Sequence, residues 1–143
     1  MLYFCTMSRL LALDYGQKRV GIAVTDQEQL IASGLTTVHS KDIFDFLKAY
    51  LKNETVSGFI VGEALNLNGL PSQSSRYIEP FVKRLSKEFP NIEIARIDER
   101  FTSKIAFQSM IDAGLKKSAR RNKSLVDQIS ATIILQSYLD SRK

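Results

Sequence analysis

Residues 9–25, RLLALDYGQKRVGIAVT, hold an apolar run that ends on a carboxylate, turns through a glycine and resumes as a second apolar run. Their aliphatic content and their polar or glycine-bearing boundaries predict a short buried strand over Leu10–Leu13 and a hairpin partner over Val20–Val24. Asp14 then stands at a strand end. There a rigid element projects a carboxylate toward the open edge of the core, so a metal ligand or general base is held without being buried unpaired. Gly16 is read as supplying a backbone conformation that other residues resist, and Lys18 and Arg19 set cations beside the acid. The plainer alternative is an Asx-turn at Asp14 with solvated cations.

Working outward, Leu35–Val38 is a third strand, followed by His39; with no second His or Cys nearby, this histidine is read as structural. The three-and-four spacing of Ile43, Phe44, Phe46, Leu47, Tyr50 and Leu51 predicts an amphipathic helix over Lys41–Asn53, its aromatics in the core. Gly58–Val61 (GFIV) is a strand that empties into the loop Gly62–Ser72, at the carboxyl edge where open α/β sheets place their ligands. A helix over Ser74–Phe89 contains Pro80, which implies a late start or a kink. The strand Ile92–Ile97 finishes at Asp98-Glu99-Arg100. Thr102 or Ser103 caps the next helix, Gly114 stops it, and Ser124 opens the last one, from Leu125 to about Ser141. This order implies one α/β domain over residues 1–143, its mixed central sheet antiparallel at the start and parallel across helical crossovers.

With 44% hydrophobic and 24% charged residues the composition is that of a globular protein, and no apolar run reaches membrane-spanning length. MLYFCT lacks a basic n-region, so residues 1–6 are read as a leader before an alternative start at Met7 rather than as a signal peptide. Cys5 is the single cysteine, which excludes a disulfide framework or a thiolate metal cluster, and a reducing cytoplasm is the expected location. The net charge is +5, and Lys116, Lys117, Arg120, Arg121 and Lys123 supply an equal excess within one acid-free segment. A local basic patch on an otherwise balanced domain suits a polyanion such as nucleic acid; a solvated basic loop is the alternative.

Three acids stand at element ends: Asp14, Glu99 and Asp127, with Glu63 as a fourth candidate. Carboxylates suit Mg2+ or Mn2+, hard cations held by a few oxygen ligands together with substrate phosphate oxygens, and a two-metal site can split a phosphodiester. Each acid also has a local alternative. Ser124-Leu-Val-Asp127 resembles a capping box, and Glu99 can pair with Arg100 or Arg96.

LALDYGQKRVGIAV (11–24), IVGEALNLNG (60–69), DERFTS (98–103) and KKSARRNKSLVDQISATIILQSYLD (116–140) together resemble the YqgF/RuvX family. The resemblance implies an RNase H-like fold related to Holliday-junction resolvases, and nuclease activity in 5′-end maturation of precursor 16S ribosomal RNA. It also implies catalytic, metal-binding acids at Asp14, Glu99 and Asp127. Lys18, Arg19, Arg100, Lys116, Lys117, Arg120, Arg121 and Lys123 become candidates for phosphate contact. Glu63 and Ala64 depart from the family pattern, which more often has an apolar residue and a proline after Val-Gly. The rival readings are a nuclease on branched DNA, a nucleic-acid-binding protein that assists ribosome assembly or transcription, and a kinase-type phosphotransferase. The last needs nucleotide held between two domains, which one domain does not supply.

Replacing Arg120 and Arg121 with alanine is expected to weaken RNA binding more at low salt than at high salt. Titration across ionic strength should show the salt dependence flattened by roughly 0.7–0.9 logarithmic units per lost phosphate contact. An unchanged slope would leave this segment a solvated loop.

Overall fold

Alternation along the first strand fixes both faces of the sheet. The structure, a computed structural model, describes residues 8–64, 66, 68–70, 72–98, 108 and 122–142. In β1 (Arg9–Tyr15), Leu11, Leu13 and Tyr15 enter one core while Leu10 and Ala12 enter the other, since successive side chains of a strand point to opposite faces. Asp14 shares the face of Leu10 and Ala12. β2 (Arg19–Thr25) pairs antiparallel with β1, and β3 (Ala32–His39) antiparallel with β2. On the other side β4 (Val56–Glu63) lies parallel to β1 and β5 (Glu93–Asp98) parallel to β4, giving the order β3-β2-β1-β4-β5.

Helices α1 (Ile43–Asn53) and α2 (Ser75–Glu88) cover one face, burying Ile43, Phe44, Leu47, Ile78, Phe81 and Leu85 against Leu11, Leu13, Val20, Ile22, Phe59 and Val61. The C-terminal helix α3 (Lys123–Ser141) covers the other face with Ala131, Ile134, Leu135 and Leu139. The strands beneath α3 contribute small residues, Ala12, Gly21 and Ala23, which let helix and sheet approach closely. Beyond the first core, Arg96 of β5 spans three elements. Its terminal nitrogens donate to both carboxylate oxygens of Glu79 on α2 at 2.9 and 2.8 Å, and it also donates to the carbonyls of Val61 and Gly62 on β4. The guanidinium holds the Glu79 carboxyl below its usual range.

Several expectations shift. The third strand spans Ala32–His39 rather than Leu35–Val38, and a register break opposite Ile22 and Ala23 carries Leu35 out to 36% exposure. α1 begins at Ile43 because Ser40–Asp42 form a 3-10 turn, with His39 Nδ1 accepting from the Lys41 amide at 3.2 Å. α2 runs through Pro80 with no late start. The proline deprives only the Arg76 carbonyl of a donor, and Arg76 is exposed, so water can replace the missing bond. The helix expected after Thr102 or Ser103 lies outside the described residues, but for Gln108.

Two strand glycines face different neighbours. A Cβ on Gly21 would overlap the backbone carbonyl of Asp127, whereas one on Gly58 would meet the mobile end of Leu10, Cδ2, at 2.9 Å. Gly21→Ala should therefore cost about 1–3 kcal/mol through overpacking. Gly58→Ala should cost less, and urea unfolding of both variants compares them. Equal tolerance would contradict the close seating of α3 on β2.

Candidate active site

Cross-strand register builds the site. Asp14 on β1 stands opposite Gly21 on β2, and Gly21 stands opposite Thr37 on β3, forming one row across the sheet. The start of α3 lies over this row, because the Thr37 hydroxyl donates to the Ser124 carbonyl at 2.8 Å and Gly21 leaves room for the Asp127 backbone. Asp14 and Asp127 consequently line one cleft of about 260 Å³, together with Gly16, Gln17, Lys18 and Arg19.

The hairpin turn forms a wall of that cleft. The Gly16 amide donates to the Arg19 carbonyl at 2.8 Å, and a Cβ at Gly16 would stand 2.9 Å from that same oxygen. Gly16 is thus required for a close approach. The expected special backbone conformation is not its role, since Gly69 is the described glycine with positive φ, at 84°. From the far side the Ser40 amide donates to the Lys18 carbonyl at 3.0 Å, and the Ser40 hydroxyl donates to the Gln17 carbonyl at 2.7 Å. With its backbone tied on both sides, the turn presents exposed Lys18 from a fixed position.

Arg19 Nε donates to Asp127 Oδ2 at 2.7 Å, a charge-assisted contact that orients the carboxylate. The guanidinium side chain is 40% exposed, so the pair contributes at most about 1 kcal/mol to stability. The capping-box alternative for Asp127 fails on position. Asn122 is the N-cap, its Oδ1 accepting from the Leu125 amide at 3.3 Å, so α3 begins at Lys123 and Asp127 sits one turn inside. Its carboxylate is therefore available to the cleft.

Glu63 ends β4 and alternates with Phe59 and Val61, whose side chains enter the α1–α2 core, and it does not line the cleft. The described part of the loop beyond it closes on itself: the Gly69 amide donates to the Asn66 carbonyl at 2.8 Å and the Ser72 amide to the Ala64 carbonyl at 3.0 Å. Lys123, exposed, stands one turn before Asp127 on α3. Glu99, Arg100, Lys116, Lys117, Arg120 and Arg121 lie outside the described residues. Among the described residues no three acid, His or Cys side chains group as a metal site. Asp14 and Asp127 nonetheless suit a hard divalent cation, which commonly takes one or two carboxylates plus water and phosphate oxygens.

Gly21, Thr37 and Asn122 were not singled out from sequence. A glycine within an apolar strand signals close backbone approach, and Asn directly before a helix is a favoured N-cap, so two of them left a trace. Thr37 left none.

A mixed sheet in this order, with two helices on one face and the C-terminal helix on the other, gives this chain an RNase H-like fold. Its fold is similar to that of T. thermophilus RuvC, solved in complex with a Holliday junction substrate, with a TM-score of 0.55 at 14% identity over 94% of this chain and 95% of that one. A family model described as "RuvX: Holliday junction resolvase" matches residues 8–141, and the chain belongs to the RuvX family. A Flavobacterium psychrophilum protein is 58% identical over 133 residues, covering 93% of this chain and 97% of that protein. A Flavobacterium johnsoniae protein is 54% identical over 137 residues, covering 96% and 99%. Both relatives carry the name "Putative pre-16S rRNA nuclease". Membership places this chain among enzymes that hydrolyse ester bonds.

Because Asn122 rather than Asp127 caps α3, Asn122→Ala should lower stability by about 0.5–2 kcal/mol. Asp127→Asn, which loses a part-exposed ion pair but keeps an acceptor for Arg19, should lower it by less than about 1 kcal/mol. Chemical unfolding of both variants gives the comparison. The reverse order would make Asp127 the structural residue.

Proposed function

We propose that this protein is a divalent-metal-dependent nuclease that cuts precursor 16S ribosomal RNA in maturation of its 5′ end, acting in the cytoplasm. The observation that carries this reading is the convergence of Asp14 and Asp127 on one cleft walled by Lys18 and Arg19. A binding module has no need of acids beside a phosphate path, since they repel the ligand. Glu99, one residue past the end of β5, completes the proposed acid set with Asp14 and Asp127 on the strength of the sequence resemblance.

Asp14 and Asp127, with Glu99, would hold Mg2+ or Mn2+, which supplies Lewis acidity toward a phosphate oxygen. The chain's own groups then divide the remaining work. Arg19 holds Asp127 in one orientation and has further N–H donors for a phosphate oxygen. Lys18 adds a point charge from the anchored turn. Arg100 and the cations between Lys116 and Lys123 are proposed to carry the flanking phosphates. The relatives at 54–58% identity bear an RNA-processing name, while the junction-bound structure shares 14% identity, so RNA is the favoured substrate and branched DNA the second reading.

One preparation should be assayed on labelled precursor 16S ribosomal RNA and on a four-way DNA junction, with magnesium and manganese titrated. RNA cleavage is expected to require the metal. Loss of an outer-shell partner already costs about 10–100-fold, so Asp14→Asn should lose more than about a hundredfold in rate while still binding RNA. Cleavage near the wild-type rate in Asp14→Asn would remove this acid from the mechanism. Cleavage without added metal would refute the metal dependence, and a wholly inactive wild type would favour the binding-module reading.

A further inference from the structure

A second cleft, of about 530 Å³, lies between α1 and α2 on the sheet face opposite Asp14. Among the described residues, those lining it include three cations, Lys41, Arg76 and Arg84, and no acid. Its inner wall is aromatic. Tyr15 stacks on Phe81 with ring centroids 4.1 Å apart and planes 11° apart, and Tyr77 lies tilted 6.4 Å from Tyr15. Both tyrosines are only half-buried, so their rings are within reach of a ligand. Lys41 and Arg76 are exposed, while Arg84 is engaged over the Phe44 ring at 4.0 Å.

The two clefts are linked through residues bonded to one hairpin turn. Tyr15 is the residue between Asp14 and Gly16 and projects to the opposite face from Asp14. Ser40 lines the second cleft and holds the Gln17 and Lys18 carbonyls of the hairpin turn that lines the first. A polynucleotide leaving Asp14 and Asp127 can therefore pass over Lys18 and enter the second cleft without crossing any other acid among the described residues that line the two. Cations that track the backbone beside aromatic rings that accept bases are the means by which proteins hold single strands irrespective of sequence. A duplex would not fit this chemistry, because paired bases offer no free face to a tyrosine.

We propose that this cleft is a subsite for a single-stranded RNA flank of the substrate, its phosphates on Lys41 and Arg76 and a base against Tyr77 or Tyr15. The proposal rests on the nuclease reading for the identity of its ligand. It assigns a preference for substrates with an unpaired segment next to the cleavage point.

The test compares binding of a fluorescein-labelled RNA duplex with and without a short single-stranded uridine extension, by wild type and by the K41A/R76A variant. Since stacking on one aromatic ring is worth on the order of tenfold or more in affinity, wild type should favour the extended duplex by at least that factor. In K41A/R76A, which keeps both tyrosines but loses the phosphate contacts, the preference should shrink several-fold, and the salt slope on the extended duplex should drop by about 1.4, the value for two single-strand phosphate contacts. Photocrosslinking from 5-iodouridine in the extension should map to Tyr77 or Tyr15. A preference unchanged in the variant, or crosslinks that map to other residues, overturns the subsite. Cleavage of the same RNAs in magnesium, with Asp14→Asn as control, separates the two claims. An uncut RNA whose extension still depends on Lys41 and Arg76 refutes the nuclease and supports the subsite, and Asp14-dependent cleavage with no preference for the extension does the reverse.

Discussion

The seating of α3 on β2 at Gly21 is the contact on which the candidate site depends. Only a residue without a Cβ lets the helix backbone at Asp127 come so close to the strand. Because Gly21 stands opposite Asp14, that approach sets the two acids at one cleft. Thr37 locks the same helix from the next strand through Ser124, and the small residues Ala12 and Ala23 continue the low surface beneath Ala131 and Ile134. A bulkier row would lift the start of the helix and separate the carboxylates. The second core and the site are therefore held by the same packing, and stability and function share one constraint.

The hairpin turn has a comparable double duty. Its backbone is tied inward by Gly16 and Arg19 and outward by Ser40, so hydrogen bonds hold a turn that would ordinarily be mobile, with Tyr15 and Ser40 of the second cleft joined to it. On one side Arg19 neutralises and orients Asp127. On the other, Tyr15 packs on Phe81. Placing an acid and an aromatic on successive strand residues sends them to opposite faces, which keeps the metal-suited chemistry apart from the stacking surface while leaving them one residue apart in the chain. Arg96 applies the same economy on β5, where one guanidinium joins α2 to the carboxyl ends of two parallel strands.

The sequence carried the order of the described elements and the mixed sheet, because short bounded apolar runs and the apolar spacing of α1 and α2 are local properties that survive in a string of residues. Asp14, Lys18 and Arg19 were legible for the same reason: a carboxylate at a strand end and cations in the adjoining turn are neighbours in the chain. The family was also legible, since four motifs kept their order and spacing. Local reasoning misplaced the start of α3, where Ser124 and Asp127 imitate a capping box although Asn122, two residues earlier, makes the cap. It also misread Gly16, whose reason is the oxygen of Arg19 rather than its own φ.

What only the tertiary structure decided is which distant groups meet. Asp127 lies 108 residues from Arg19, and no periodicity encodes their pairing. Glu63 carries the same charge as Asp14 and also ends a strand, but the parity of β4 turns it to the opposite face and away from the cleft. Local sequence specifies where a backbone bends and which side of an element is apolar. The meeting of Asp14 with Asp127 depends on strand register and on how near a helix can come to a sheet, and those are set by packing among residues far apart in the chain.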